Sequence, residues 1–139
     1  MKVVMYFIVI IIVIVAAALL FVRLAPTDVA RWHQPIEAVA DADLAGGAVR
    51  VMAADTQALA RVNAAALALP RTQVIAGSVA EGRITYRTRT KWIGFPDFTT
   101  VEYADGMLKM YARLRFGQSD LGVNAARLER LQAVARSGA

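Results

Sequence analysis

The run VVMYFIVIIIVIVAAALLFV, Val3 to Val22, constrains this chain more than any other feature. Its twenty consecutive apolar residues contain no charge, proline or glycine, and a helix of roughly 20 such residues crosses about 30 Å of hydrocarbon. In a chain of 139 residues this leaves room for one further folded unit. A cleaved signal peptide is the competing reading, because Lys2 precedes the run and Ala16 to Ala18 lie inside it. The run nevertheless exceeds the ~7–15 apolar residues of a signal core, and no small-residue cleavage site follows it. The expected organisation is a transmembrane signal anchor over residues 1–23, a juxtamembrane connector over 24–47 and an α+β domain over 48–139.

Sidedness is nearly balanced by the positive-inside count, with Lys2 before the run and Arg23 and Arg31 after it. The short tail ahead of the run favours a single-pass arrangement with the tail inside and the domain exported. The absence of cysteine is compatible with an oxidising compartment without requiring one. The whole chain carries a net charge of +5. Fourteen of its basic residues and all eleven acids lie beyond residue 23, a mild excess that is not the charge of a dedicated nucleic-acid binder.

Residues 24–47 hold Pro26, Pro35 and a Gly-Gly pair with weak periodicity, so a partly ordered connector is expected. Trp32 within it suits either a headgroup-level anchor or a plug for the domain core. Ala48–Met52 reads as a strand. Asp55 or Thr56 then caps a helix with Leu59, Val62, Ala66 and Leu69 on one face, and Pro70 ends it. Two alternating runs flank Glu81-Gly82, a pair suited to a tight turn, and a second hairpin is centred on Asp105-Gly106. A two-residue turn there sets Tyr103 across from Leu108 and Val101 from Met110 on one face. Glu102 then meets Lys109 as an ion pair, and Phe98 meets Arg113 as a cation–π contact, on the other. A last helix begins near Ser119 or Asp120 and aligns Leu121, Ala125, Leu128, Leu131 and Ala135. The order β-α-β-β-β-β-α predicts a mainly antiparallel sheet with two helices on one face, an α+β sandwich.

Strand alternation places Arg83, Arg87, Arg89 and Lys91 on the face opposite Ile84, Tyr86, Thr88, Thr90 and Trp92. Lys109, Arg113 and Arg115 share the corresponding face of the later strand. With helices on the apolar side, up to seven cations stand on the open side. An Arg- and Thr-rich strand face is ordinarily just solvated; the functional reading is an anion-facing surface for anionic lipid, at ~1 kcal/mol per basic residue, for an acidic protein partner or membrane protein complex, or for a phosphorylated or carboxylated ligand. Too few aromatics share that face to stack nucleic-acid bases.

Enzyme signatures are scarce. One histidine and no cysteine exclude the usual zinc and thiolate sites. None of the three serines sits in a Gly-x-Ser-x-Gly elbow, and no glycine-rich phosphate loop is present. His33 reads as an interfacial or capping residue. No metal or cofactor is expected.

The stretch RFGQSDLGVN, Arg115 to Asn124, is a dense polar and glycine-rich joint between the last strand and the last helix. Asp97, Arg115, Ser119, Asp120, Asn124 and Arg127 could converge there as a polar pocket for a small ligand or a reaction, since both motifs end neighbouring strands. The same residues equally make a helix start held by Asp120, with an Arg115 or Arg127 partner beneath it.

Thr90, Gly94, Phe95, Pro96 and Asp97, together with Arg115, Gly117, Ser119, Asp120, Gly122, Asn124 and Arg127, give the chain its resemblance to the bacterial and plastid family called domain of unknown function 1499. Members share a Thr-x-x-x-Gly-Phe-Pro-Asp segment and an Arg-x-Gly-x-Ser-Asp-x-Gly-x-Asn-x-x-Arg segment, and the resemblance spans about residues 30–135. The chain departs from the family pattern at Tyr111 to Leu114, where Arg-Ser-x-Ser is common, and at Phe98, where a second acid is common. Members often carry a lipoprotein signal or a membrane segment, so the resemblance implies export; it implies no activity. The expectation is therefore a non-enzymatic, membrane-anchored interaction domain. A ligand-binding or enzymatic pocket in the polar joint is the alternative.

Overall fold

The computed structural model describes residues 1–138. The apolar run becomes one helix, α1 (Lys2–Leu24), none of whose residues is buried against the rest of the chain. Among the described residues it is the one helix long and apolar enough to cross a membrane. Its end meets the domain, where Phe21 lies edge-on to Phe116 with ring centroids 6.2 Å apart.

A short helix α2 (Val29–Trp32) follows, then strands β1 (Ala42–Leu44) and β2 (Gly47–Ala53), helix α3 (Ala58–Ala68), strands β3 (Thr72–Ser78), β4 (Arg83–Arg89), β5 (Pro96–Ala104) and β6 (Met107–Leu114), and helix α4 (Val123–Arg136). The six strands form one antiparallel sheet in the order β1-β2-β6-β5-β4-β3. The architecture is α+β, as expected, with β1 as an additional edge strand drawn from the connector.

The β5–β6 register follows the hairpin pattern residue for residue, from Ala104 opposite Met107 to Phe98 opposite Arg113. Asp105 and Gly106 both have positive φ, 52° and 75°, as a two-residue turn matched to strand twist requires. The β3–β4 hairpin differs from the tight turn expected at Glu81-Gly82. Ser78 pairs with Arg83, leaving a four-residue loop in which Ser78 Oγ accepts from Glu81 N at 3.2 Å, a local side-chain bond that competes with a tighter turn.

Both long helices cover one side of the sheet. Leu59, Val62 and Ala66 of α3 and Leu128, Leu131 and Ala135 of α4 pack on Ile84, Tyr86, Val101, Leu108, Met110 and Ala112. The Tyr86 hydroxyl is satisfied in this core by Asn63 Oδ1 at 2.8 Å. At the start of α3, Asp55 Oδ1 accepts from Gln57 N at 2.8 Å. Leu121 leaves the expected α4 stripe: it precedes the helix, has φ 53° and is 92% exposed, because the chain turns at Gly122 before helical pairing begins.

The other side of the sheet is not open. Residues 25–36 lie across it as a third layer. Trp32, 6% exposed, stacks on Phe98 at 4.1 Å with the rings 18° from parallel, so it is a core plug and not a headgroup anchor. Its carbonyl accepts from Thr100 Oγ1 at 3.1 Å and from an Arg113 Nη at 2.7 Å. Thr100 Oγ1 also lies 3.0 Å from Thr85 Oγ1, which lies 2.9 Å from His33 Nδ1. Each hydroxyl has one hydrogen, so Thr100 donates to the carbonyl, Thr85 to Thr100, and His33 Nδ1–H to Thr85. His33 therefore belongs to the seam between connector and sheet.

Candidate functional site

The polar joint divides. Asp97, at the start of β5, and Asn124 and Arg127, one turn apart on α4, face one another on the helix side, with an Asp97–Arg127 ion pair at 3.5 Å and Arg127 donating to Asn124 Oδ1. Asp120 holds the helix start: its two carboxylate oxygens accept from Gly122 N at 3.0 Å and Asn124 N at 2.9 Å. Burial pushes the Asp120 carboxyl up, but those backbone N–H groups outweigh it and hold it below its ordinary value. Asp97 moves the other way, raised by burial against the pull of Arg127. Arg127 is lowered by burial despite Asp97, the pattern of a buried pair whose desolvation exceeds its attraction. Asn124 is fully buried, and among the described residues its Nδ2 meets no acceptor with good hydrogen-bond geometry.

Arg115 and Ser119 do not join this cluster. Arg115 follows β6 on the opposite side of the sheet and donates to the Pro26 carbonyl at 2.8 Å. Ser119 is exposed and accepts from Leu121 N at 3.3 Å. The joint thus ties α4 to β5 on one side and the connector to β6 on the other.

The basic stripe also divides. Arg83 pairs with Glu102, taking the acid expected to meet Lys109. Lys109 instead donates to the Ile36 carbonyl at 3.0 Å. Arg113 lies over Tyr111 and Trp32, at 4.3 and 5.1 Å, and not over Phe98, because the Trp32 ring already occupies the Phe98 face. These three cations fasten the connector or a neighbouring strand.

Arg87, Arg89 and Lys91 have a different neighbourhood. With Arg23 from the end of α1 and Arg71 just ahead of β3 they line a cleft of about 460 Å³, completed by Thr72, Gln73, Thr90 and Gly94. None of the five cations takes part in an ion pair among the described residues. Backbone carbonyls hold several of them. Arg23 donates to Ile93 O at 3.1 Å and Trp92 O at 2.7 Å, Arg89 to Gly94 O at 2.8 Å and Arg23 O at 3.2 Å, and Arg71 to Arg89 O at 2.9 Å. Burial, with the like charges of Arg87, Arg23 and Arg115, pulls the Arg89 guanidinium below its ordinary value.

Strand alternation ends at Arg89, so Lys91 and Trp92 sit on a loop. Thr90 Oγ1 closes that loop, accepting from Gly94 N at 3.1 Å and Phe95 N at 2.9 Å. Trp92 is 79% exposed with the Lys91 ammonium 4.8 Å above its ring. The sequence reading missed Arg23 and Arg71 as partners of the stripe. Arg71 had a signal, since pairing β3 with β4 places it beside Arg89; Arg23 had only its position at the end of the apolar run.

A family model described as a protein of unknown function (DUF1499) matches residues 25–134, from the end of α1 into the last turns of α4. No curated protein matches the chain.

Proposed function

The chain belongs to the DUF1499 family of proteins of unknown function, and we propose that it is a non-enzymatic, membrane-anchored interaction domain that docks on anionic lipid of its own membrane. In this reading α1 is the single span, Lys2 stays on the cytoplasmic side of a bacterial inner membrane, and the domain faces the periplasm. One observation carries the reading: Arg23, Arg71, Arg87, Arg89 and Lys91 gather at the end of the domain joined to α1 with no carboxylate partner among the described residues.

This reading moves the docking surface from the sheet face, which the connector covers, to the domain's end beside α1. Each basic residue near an anionic leaflet contributes ~1 kcal/mol, and the attraction fades beyond a Debye length of about 8–10 Å. Arg23 fixes the Trp92-Ile93 carbonyls to the end of α1, and an exposed indole beside the end of the span supports this reading, since tryptophan favours the membrane–water interface.

The test uses the full chain in nanodiscs carrying lipids brominated at graded depths. Trp92 fluorescence should be quenched most by shallow bromines, more strongly in discs with anionic lipid, and the quenched component should vanish in Trp92→Phe. Indifference to bromine depth and to lipid charge would show that this end of the domain does not rest on the bilayer.

A further inference from the structure

Resting on that membrane-seated reading, we infer that the cleft between Arg23, Arg71, Arg87, Arg89 and Lys91 is a discrete, one-to-one site for a phosphate group, supplied by an anionic phospholipid headgroup or by a soluble phosphate. Diffuse attraction to a charged surface needs only exposed cations. This cleft has more: its guanidinium groups come from α1, β4 and the residue just before β3, and carbonyls hold those of Arg23, Arg71 and Arg89 in place. Arg71 and Arg87 each use a single N–H in the fold, Arg87 only at 3.5 Å to Thr27 Oγ1. An arginine has five such donors in a planar fork that matches phosphate oxygens in pairs.

Like charges brought this close repel one another, and no carboxylate among the described residues relieves them. A bound anion would. At about 460 Å³ the cleft lies within the ~300–1,000 Å³ of small-molecule sites, and Arg87 and Arg89 are half-buried, so an oxyanion there is partly shielded from water and salt.

Full chain in nanodiscs of mixed zwitterionic and anionic phospholipid would be released into the gas phase and its retained lipids counted by native mass spectrometry. In parallel, inorganic phosphate would be titrated into chain held in purely zwitterionic discs, with amide exchange at residues 87–95 as readout. One retained anionic phospholipid, or saturable single-site protection by inorganic phosphate, is the expected result, and the arm that responds identifies the source. Arg71→Gln with Arg87→Gln should weaken it by roughly thirtyfold, about fivefold per cation removed, without lowering the melting temperature. Arg136→Gln, distant on α4, should leave it unchanged.

Binding that never saturates, zwitterionic lipid retained equally, or equal loss on Arg136→Gln would overturn the site. Each of those results leaves Trp92 quenching by shallow bromines untouched, so the site can fail while the membrane seat stands. Saturable phosphate binding without Trp92 quenching is the converse case.

Discussion

Trp32→Ala tests the layer that closes the outer side of the sheet. The indole is 6% exposed and lies flat on Phe98, itself fully buried, while the Arg113 guanidinium sits 5.1 Å from its ring centroid. Truncating a buried tryptophan to alanine costs about 3–5 kcal/mol, and a stacked aromatic pair contributes about 0.5–1.5 kcal/mol beyond its buried area. The connector is an outer layer and can partly settle onto Phe98, so the low end applies, about 3 kcal/mol. At about 4 °C per kcal/mol for a domain of this size, the melting temperature should fall by about 12 °C. Differential scanning calorimetry of the full chain in detergent micelles measures this without depending on tryptophan signals. Trp92→Ala is the internal control: that ring is 79% exposed, and its loss should stay within about 0.5 kcal/mol. A Trp32→Ala protein melting within about 4 °C of the parent, or a Trp92→Ala protein equally destabilised, would refute the assignment of Trp32 to the core.

The remaining predictions concern the polar groups. Asp120→Ala removes the acceptor for two N–H groups at the start of α4 and should cost about 0.5–2 kcal/mol at neutral pH. Because the folded carboxyl lies below its unfolded value, its contribution is present above about pH 4 and is lost as pH falls through the folded value. The gap to the parent should therefore close in acid, and denaturant titrations showing a constant gap would contradict the capping role. Asp97 runs in the opposite sense: its raised value means that its contribution improves as pH falls. A double-mutant cycle on Glu102 should give about 1 kcal/mol of coupling with Arg83 and under about 0.3 kcal/mol with Lys109; the reverse ranking would reject the observed pairing. Nitrogen NMR of His33 should find the neutral ring protonated on Nδ1, as the chain through Thr85 and Thr100 to the Trp32 carbonyl requires; an Nε2–H tautomer would break that chain.

Legibility followed the range of the interaction. The β5–β6 hairpin was readable because a two-residue Asp-Gly turn fixes every facing pair once the strands alternate. The faces of α3 and α4 were readable from 3.6-residue periodicity, except at Leu69, which turns to extended backbone just past the end of α3, and at Leu121, where Gly122 delays the helix. In the polar joint, Asp120 was legible as an acceptor for N–H groups at the start of α4 because such bonds act within four residues, although the N-cap is Gly122 and neither Ser119 nor Asp120. Convergence on Asp97 was half legible: adjacent strand ends bring both motifs together, but side alternation sends Arg115 to the opposite face from Asp97.

The connector was where sequence reasoning fell short. Its prolines, glycines and weak periodicity describe a segment without regular structure, and irregular structure is not the same as absence of packing. Pro26, Trp32 and Ile36 present backbone carbonyls, which no side-chain pattern displays, and Arg115, Arg113 and Lys109 bind those carbonyls.

By itself, then, the amino-acid sequence determined what depends on local periodicity and length: the span-length apolar helix, the antiparallel hairpins, the β5–β6 register and Asp120 as an acceptor ahead of α4. Only the tertiary structure decided which cations are used up and which remain. That choice depends on where residues 25–36 lie across the sheet and on which guanidinium groups α1, β4 and the residue just before β3 bring to one cleft. Both are set by contacts between residues as far apart as Arg23 and Ile93, and the free energy of such contacts belongs to packing, which leaves no periodic trace along the chain.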